Sequence, residues 1–336
     1  MTPDISLWQR YRLRIRRRQL LWHAFQARRQ LTPRADRTGA IGPGGVLLIS
    51  TMRNEARRIP HFLSHYRALG ITHFLIVEND STDETRALLE GEPDVSLWST
   101  SASYREARFG MDWMGWLLAR YGRGHWCLTV DADEILVYPD CETRPLPELT
   151  GWLDANGIET MSATMLELYP KGPLSKAEAA GDPIASLPWF DPYGYDWTWQ
   201  PRHQNISIRG GPRRRMFFAG DPDRAPHLHK VPLVKWHWRY AYASSTHILL
   251  PRHLNNGLDA RLNRPTGALM HTKFLPDIIE KTEEEKIRAQ HFTHPDRYGD
   301  YHAALIEGPE LWTGESLRYE GPGQLEGLGL LQRGGW

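Results

Sequence analysis

Apolar runs alternate with amphipathic segments over the first half of the chain. The apolar runs are typical of buried strands and occupy residues 46–50, 73–77, 95–98 and 125–130. Between them, residues 57–69, 85–90 and 105–121 carry apolar side chains three or four positions apart, which predicts helices. Strands that alternate with helices are typical of βαβ units. The sequence therefore predicts an α/β fold with a doubly wound, mostly parallel sheet.

The second half of the chain has a mixed pattern. Strands are predicted at 160–169, 205–209, 246–250 and 269–274, and a charged helix at 276–292. Residues 170–204 are rich in Pro, Gly, Trp and Tyr and predict an irregular flap. We therefore divide the chain into an N-terminal extension with its linker (1–45), a regular α/β half (46–150), a mixed half (151–310) and a peripheral tail (311–336).

The first 37 residues contain ten arginines against two aspartates. Apolar residues three or four positions apart lie between the arginines and predict an amphipathic basic helix: Leu7, Trp8, Tyr11, Ile15, Leu21, Trp22 and Phe25. Such a helix either lies on an anionic membrane surface or packs against the main domain. We expect no nucleic-acid partner, because no recognised binding module accompanies the charge.

The whole chain is close to neutral, with 41 Lys and Arg against 40 Asp and Glu in 336 residues. It contains no apolar run long enough to span a bilayer, and its start does not have the pattern of a signal peptide. We therefore expect a cytoplasmic protein, either free or bound peripherally at the inner face of the membrane through its basic N-terminus.

Asp131-Ala132-Asp133 comes directly after the apolar run 125–130. Two carboxylates at this spacing can bind one hard divalent cation, and Mg²⁺ or Mn²⁺ keeps open positions for substrate phosphates. An isolated triplet of this kind is more often a solvated acidic turn. Its position at the end of a buried strand favours a metal site, because ligands of open α/β sheets bind beyond the carboxyl ends of strands.

A second acidic segment, residues 78–83, follows the apolar run 73–77. Asp80 there could accept hydrogen bonds from a nucleobase or a ribose, while Ser81 to Asp83 could cap the next helix. The chain has no Gly-rich phosphate loop of the Walker or Rossmann form. Its absence argues against P-loop enzymes and dinucleotide oxidoreductases.

Taken in order, these segments resemble the signatures of family-two-like bacterial glycosyltransferases, and most closely the subgroup with the Glyco_tranf_2_4 domain. The resemblance covers about residues 46–292. It is carried by Thr51-Met52-Arg53-Asn54-Glu55, residues 78–83, Asp131-Ala132-Asp133-Glu134, and the later segments 210–215, 230–236, 245–247 and 267–274. Thr51 departs from the family, where proline is usual at that position, and the QxxRW motif of processive synthases is absent.

The resemblance implies a GT-A fold, a UDP- or GDP-sugar donor and a Mn²⁺ or Mg²⁺ ion. By analogy, Asp80 contacts the nucleoside in a pocket lined by Thr51, Arg53, Glu55 and Asn79. Asp131 and Asp133 serve the metal and the diphosphate, and His271 is the candidate third ligand, with a core histidine as the alternative. Four basic residues either bind diphosphate or an anionic acceptor or are ordinary surface charge: Arg213, Arg215, Lys230 and Lys273.

The resemblance further implies a non-processive, inverting transferase of the hexosyltransferase kind, acting on a hydroxyl of an envelope or capsular glycan or a glycolipid. Inversion requires a general base for that hydroxyl. Asp191, in the predicted flap, is the first candidate, and Asp196 and Glu167 are its rivals. The alternative functions are a metal-dependent sugar nucleotidyltransferase and a non-catalytic carbohydrate-binding protein.

Overall fold

A computed structural model describes residues 5–176, 181–288 and 299–336. The strands are β1 (Thr32–Ala35), β2 (Val46–Met52), β3 (Ile71–Glu78), β4 (Val95–Ser99), β5 (Trp126–Thr129), β6 (Glu134–Val137), β7 (Thr160–Glu167), β8 (Trp189–Phe190), β9 (Asp196–Gln200), β10 (Asn205–Arg209), β11 (His229–Lys235), β12 (Ala241–Ser244), β13 (Ile248–Leu250), β14 (Gly267–His271) and β15 (Leu317–Arg318). The helices are α1 (Leu7–Ala27), α2 (Ile59–Ala68), α3 (Thr85–Gly91), α4 (Met111–Tyr121), α5 (Leu146–Ala155), α6 (Pro183–Ser186), α7 (Gly211–Phe217), α8 (Ile278–Arg288), α9 (Gly299–Ile306) and α10 (Pro322–Gly327).

Nine strands form the central sheet, in the order β1-β4-β3-β2-β5-β11-β7-β14-β6. Six of them, β2, β3, β4, β5, β7 and β14, point the same way, whereas β1, β6 and β11 run against them. The prediction of an α/β fold with a mostly parallel sheet and a mixed C-terminal part is confirmed. The predicted halves 46–150 and 151–310 contribute strands to this one sheet.

The sheet is covered on both faces, as a doubly wound fold requires. Along β2, Leu48 packs in one core with side chains of α2, α3 and α5, whereas its neighbours Leu47 and Ile49 pack in another core with α4. Successive side chains of a strand point to opposite faces, so a continuous apolar run supplies both cores. This is why the sequence pattern found these strands.

Two neighbouring strands of the sequence lie far apart in the sheet. β5 ends at Thr129 near the middle, and β6 begins at Glu134 on the edge beyond β11, β7 and β14. The connection, residues 130–133, contains the acidic triplet and crosses the ends of those three strands. Asp133 is fixed there because its carbonyl oxygen accepts the amide hydrogen of Thr272 at 2.7 Å.

Several predicted boundaries are wrong for local reasons. The helix predicted at 105–121 begins only at Met111, because Arg108, Phe109 and Gly110 all have positive φ and form a left-handed turn. The predicted flap contains β9, which pairs with β10 in a ribbon. The strands predicted at 246–250 and 269–274 are observed as β13 and β14, and α8 covers the described part of the helix predicted at 276–292, whose last four residues lie outside the described ranges.

The tail predicted to be peripheral packs into the second half of the molecule. Leu311, Leu325 and Leu331 are buried in a core with Phe190 and Phe274, so the tail covers apolar surface that the flap and β14 expose. At the other end of the chain, α1 packs against α4 and β12. None of the described helices is long and apolar enough to cross a membrane.

Candidate functional site

A cleft of about 350 Å³ opens where the carboxyl ends of the parallel strands meet. The ends of β2, β5 and β14 contribute to it directly, and the amino ends of the antiparallel strands β6 and β11 lie at the same edge. Its charged and polar lining comprises Thr51, Arg53, Glu55, Asn79, Asp131, Asp133, Glu134, Arg213, His227, Lys230, Ser245, His247, His271 and Lys273. The cleft thus lies beyond the carboxyl ends of the strands, where ligands of open α/β sheets bind.

Asp133 and His271 meet at the base of the cleft although 138 residues separate them in the sequence. His271 Nε2 lies 3.0 Å from Asp133 Oδ2, and His271 Nδ1 lies 3.6 Å from Glu167 Oε1. His271 is next to Glu167 because the two residues are register partners on the parallel strands β14 and β7. Glu167 and His271 are buried, and about a quarter of the Asp133 side chain is exposed.

The pKa values of this group reflect competition between burial and charge. Burial opposes ionisation of Asp133, but His271, Lys273 and Arg58 hold the pKa of its carboxyl well below the ordinary value. Burial likewise opposes protonation of His271, yet Asp133 and Glu167 raise the pKa of its imidazole. In Glu167, burial is outweighed by Arg213 and His271, which lower the pKa of the carboxyl.

Asp131 is held on the other side by a buried lysine. Lys230 Nζ donates to Asp131 Oδ2 at 3.0 Å and also to Glu134 Oε1. Burial disfavours the charged ammonium, but the two carboxylates raise the pKa of Lys230. The side chain of Asp131 remains about half exposed toward the cleft, whereas Lys230 and Glu134 are buried.

The loop after β2 is fixed by a set of hydrogen bonds to the loop after β3. Arg53 Nη1 donates to the carbonyl oxygens of Asn79, at 3.1 Å, and Asp80. Glu55 Oε2 accepts from Arg58 Nη1 at 2.8 Å and forms an ion pair with Lys281 Nζ of α8 at 2.9 Å. Arg53 thus keeps the two strand ends together, and Glu55 connects the loop after β2 to α8.

Asp80 lies outside the cleft, in a second cavity beside it. This cavity, of about 380 Å³, is lined by Gln30, Thr32, Arg34, Asp80, Arg86, Ser99, Thr100, Ser101 and Ala102. Because Asn79 lines the cleft and Asp80 lines the second cavity, the two spaces adjoin. The Asp80 side chain is mostly exposed to solvent, 3.7 Å from Arg53.

The donor set fits a divalent cation in its chemistry. Asp131, Asp133 and His271 offer two carboxylates and one imidazole, and the second nitrogen of His271 faces the carboxylate of Glu167, as is usual for a metal-binding histidine. Among the described residues, no three His, Cys, Asp or Glu side chains converge closely enough to hold an ion. Asp131 does not converge with Asp133 and His271, because its carboxylate accepts a hydrogen bond from Lys230.

No protein-family model matches this chain, and no curated protein sequence matches it either. Among solved structures, the mannosyltransferase PcManGT from Pyrobaculum calidifontis, in complex with GDP-Man and Mn²⁺, is 19% identical over 49% of this chain, with a TM-score of 0.27. The match covers 52% of that chain, so it extends over about half of the mannosyltransferase. A Bacillus anthracis protein provisionally named as a glucose-1-phosphate thymidylyltransferase, in complex with sucrose, is 10% identical over 78% of this chain and 83% of its own, with a TM-score of 0.29. At these sequence identities and TM-scores, neither alignment indicates a function for this chain.

The three candidate general bases lie outside the cleft lining and are each paired with one of three consecutive arginines of α7. Arg213 binds Glu167, Arg214 binds Asp196, and Arg215 Nε donates to Asp191 Oδ2 at 2.8 Å. Asp191 also accepts from Tyr169, and Arg215 donates to the carbonyl oxygen of Leu311. Asp191, Asp196 and Arg215 thus fasten the flap to its surroundings, and none of the three lines the cleft.

Several residues that line the cleft were not predicted from the sequence. Tyr104 and Phe109 enter through the left-handed turn before α4, and His227 and His247 form part of the wall beside Lys230. The segment Ser245-Thr246-His247 belongs to the family resemblance, which was a usable signal for His247. His227 carried none, because its position depends on the irregular path between α7 and β11.

Proposed function

We propose that this protein is a metal-dependent glycosyltransferase of the family-two-like group, which transfers a sugar from a nucleoside diphosphate donor to a hydroxyl acceptor. The observation that carries the proposal is the meeting of Asp133 with His271, at 3.0 Å, in a cleft that also contains Asp131 and several cationic side chains. Acidic and basic groups at one strand-end cleft suit a ligand with a diphosphate and a counter-ion.

The two adjoining cavities suit the two parts of such a donor. The second cavity would take the nucleoside, with the Asp80 carboxylate free to accept hydrogen bonds from ribose hydroxyls or base N–H groups. The main cleft would take the diphosphate and the sugar. There Arg213, Lys230 and Lys273 supply positive charge near the position where the leaving diphosphate gains negative charge.

Asp131, Asp133 and His271 would hold Mn²⁺ or Mg²⁺, which would act as a Lewis acid toward the diphosphate. Glu167 would orient His271 by accepting the hydrogen of its Nδ1, so that Nε2 is free to bind the ion. In this proposal Glu167 is a positioning residue, and neither Asp191 nor Asp196 is the base. For Asp131 to join the set, its bond to Lys230 must open. Lys230 then remains available to the donor phosphates.

The test is calorimetric binding of UDP and GDP with and without Mn²⁺, followed by donor hydrolysis over a panel of nucleotide sugars. We expect nucleotide binding that depends on Mn²⁺, and a loss of turnover of at least about a hundredfold in Asp133→Asn, since a metal ligand is removed. Asp154→Asn is the matched control. Like Asp133→Asn it removes one paired carboxylate, here the partner of Lys235 on β11, but Asp154 lies outside the cleft lining.

The outcomes separate the alternatives. Turnover without added metal, or unchanged turnover in Asp133→Asn, would falsify the assigned site. Pyrophosphate release from a nucleoside triphosphate and a sugar phosphate would indicate a nucleotidyltransferase. Glycan binding with no nucleotide or metal binding would indicate a non-catalytic carbohydrate-binding protein.

A further inference from the structure

The helix α1 has two apolar faces, and only one of them is covered. Leu13, Leu20, Ala24 and Ala27 are buried, and α1 packs by this face against α4 and β12. None of these four belongs to the apolar set from which the sequence predicted the helix. One face of the N-terminal helix therefore packs against the main domain, as one of the two alternatives predicted. It does so through a different set of side chains.

The other face exposes large apolar side chains along most of the helix. The exposed fractions are 83% for Leu7, 64% for Trp8, 51% for Tyr11, 38% for Ile15, 57% for Trp22 and 40% for Phe25. At 3.6 residues per turn, positions 7, 8, 11, 15, 22 and 25 fall on one stripe, about opposite to the buried face. We call these six residues the aromatic stripe. Large apolar side chains gathered on one exposed face mark an interaction surface.

Positive charge borders the aromatic stripe. The helix contains six arginines and no acidic residue: Arg10, Arg12, Arg14, Arg16, Arg17 and Arg18. By the same helical geometry, Arg12 and Arg16 lie on one side of the stripe, Arg10 and Arg14 lie on the other, and Arg18 lies within it.

The loop between β11 and β12 adds a further ring and a further cation. Trp238 in that loop is about half exposed, and the guanidinium of Arg239 lies 4.7 Å from its ring. Arg239 is close enough to Arg17 to matter electrostatically. Burial, followed by repulsion from Arg239, Arg14 and Arg18, lowers the pKa of Arg17. This end of the molecule therefore combines apolar rings with crowded positive charge.

The charge decides between the possible occupants of the aromatic stripe. A second copy of the chain would bring another arginine-rich, acid-free helix against the first, and like charges would oppose the contact. An anionic lipid surface supplies both missing partners, since acyl chains accept the rings and headgroups accept the guanidinium groups.

The geometry points to α1 as an interfacial membrane anchor, whose aromatic stripe inserts among the acyl chains of an anionic bilayer while the flanking arginines bind its headgroups. The opposite face of the helix packs against α4, which in turn packs against the central sheet. The inference is independent of the proposed transferase activity, because it concerns a surface away from the cleft. Binding to vesicles and donor turnover can therefore succeed or fail separately.

The test is co-sedimentation of the full chain with vesicles of phosphatidylcholine alone and of phosphatidylcholine mixed with phosphatidylglycerol. We expect binding to the mixed vesicles only, weakening as sodium chloride is raised. Trp8→Gln with Trp22→Gln should reduce the partition coefficient by roughly tenfold or more, because interfacial rings are lost. Arg12→Gln with Arg16→Gln should also reduce it by roughly tenfold.

Two matched double variants serve as controls. Leu88→Gln with Leu262→Gln changes exposed apolar side chains elsewhere, and Arg123→Gln with Arg318→Gln removes the same charge from other exposed sites. Both should bind as the unaltered chain does. Equal binding to the two kinds of vesicle, or equal losses in the controls, overturns the inference. So does lipid-free self-association that disappears in the Trp8/Trp22 variant, which would assign the stripe to a second copy. Circular dichroism checks that each variant is folded.

Discussion

At the scale of single residues, Lys230 is the most consequential side chain in the cleft. It is buried against the carboxylate of Glu134, which is also buried, and it binds Asp131, whose side chain is about half exposed. Removing one member of a buried ionic group leaves an uncompensated charge, which is far more costly than the pair is stabilising. Lys235, on the same strand, makes a comparable contact with Asp154 at the surface, where solvent screens it.

We therefore expect Lys230→Met to lower the free energy of unfolding by about 3–5 kcal/mol, and Lys235→Met to lower it by no more than about 1 kcal/mol. Urea denaturation followed by circular dichroism measures both. Equal losses in the two variants would show that Lys230 is not compensating buried carboxylates.

Some residues of the candidate site could be predicted from the sequence, and others could not. Asp131, Asp133 and His271 were predicted from strand ends and from a family resemblance, and the structure brings Asp133 and His271 into contact. Asp191 was chosen because it lies in a flap, but its pairing with Arg215 depends on how α7 packs. Tertiary pairing of this kind leaves no signal in local sequence, so the sequence did not reveal that Asp191 takes part in an ion pair.

At the scale of secondary-structure elements, the left-handed turn before α4 shapes the cleft. Arg108, Phe109 and Gly110 have φ values of 52°, 59° and 74°. The turn brings Gly110 against the end of β2, where an added Cβ would lie 2.8 Å from Thr51 Oγ1 and 3.1 Å from a ring carbon of Tyr104. Only glycine allows this close approach.

Gly110→Ala should weaken nucleotide binding at least about tenfold and destabilise the fold by roughly 1–3 kcal/mol, since it combines backbone strain with a collision at the cleft wall. Gly124→Ala is the control that introduces backbone strain without a steric collision. Its φ is 83°, but an added Cβ meets nothing within 4 Å. Calorimetry with UDP and Mn²⁺ and urea denaturation compare the two. A similar loss of nucleotide affinity in Gly124→Ala would exclude a specific role for the contact with Thr51.

Elements differed in how well sequence predicted them. β2 and β3 were found because both of their faces are buried and the run is continuous. β11 was missed, although it lies in the middle of the sheet, because Pro232 argues against a central strand. The structure accommodates the proline where the register with β7 shifts, between Lys230 and Leu233. Such irregularities are common beside active sites, and sequence alone does not locate them.

At the scale of the whole molecule, a cluster of three histidines, one buried and two half-buried, makes stability depend on pH. His227, His229 and His247 pack ring to ring between β10, β11 and the loop before β13. Burial, with repulsion between the imidazoles, lowers the pKa of His229 to about 2, and burial followed by Lys230 lowers that of His247 to about 3. The folded protein keeps both neutral, whereas the unfolded chain protonates them below about pH 6.5.

Stability from these histidines is therefore fully present above about pH 6.5 and is lost as the pH falls below it, because only the unfolded state takes up protons. We expect His229 alone to account for a loss of about 2 kcal/mol between about pH 7 and pH 5. Urea midpoints across this range should fall steeply for the unaltered chain and less steeply for His229→Gln. His253→Gln, which changes an exposed imidazole, should leave the slope unchanged. A parallel decline in all three proteins would exclude the cluster as the cause.

The crossing of residues 130–133 over the sheet edge has a consequence for the order in which the protein can acquire its site during synthesis. β6 has its place in the sheet only beside β14, and Asp133 meets its histidine 138 residues later. A nascent chain that stops before β14 can form the core around β2, β3 and β5, since those contacts are nearer in sequence. Its acidic turn, however, still lacks the strand β14 and the His271 side chain that Asp133 contacts. The cleft with its Asp133–His271 contact must therefore be completed late, as one of the last long loops closes.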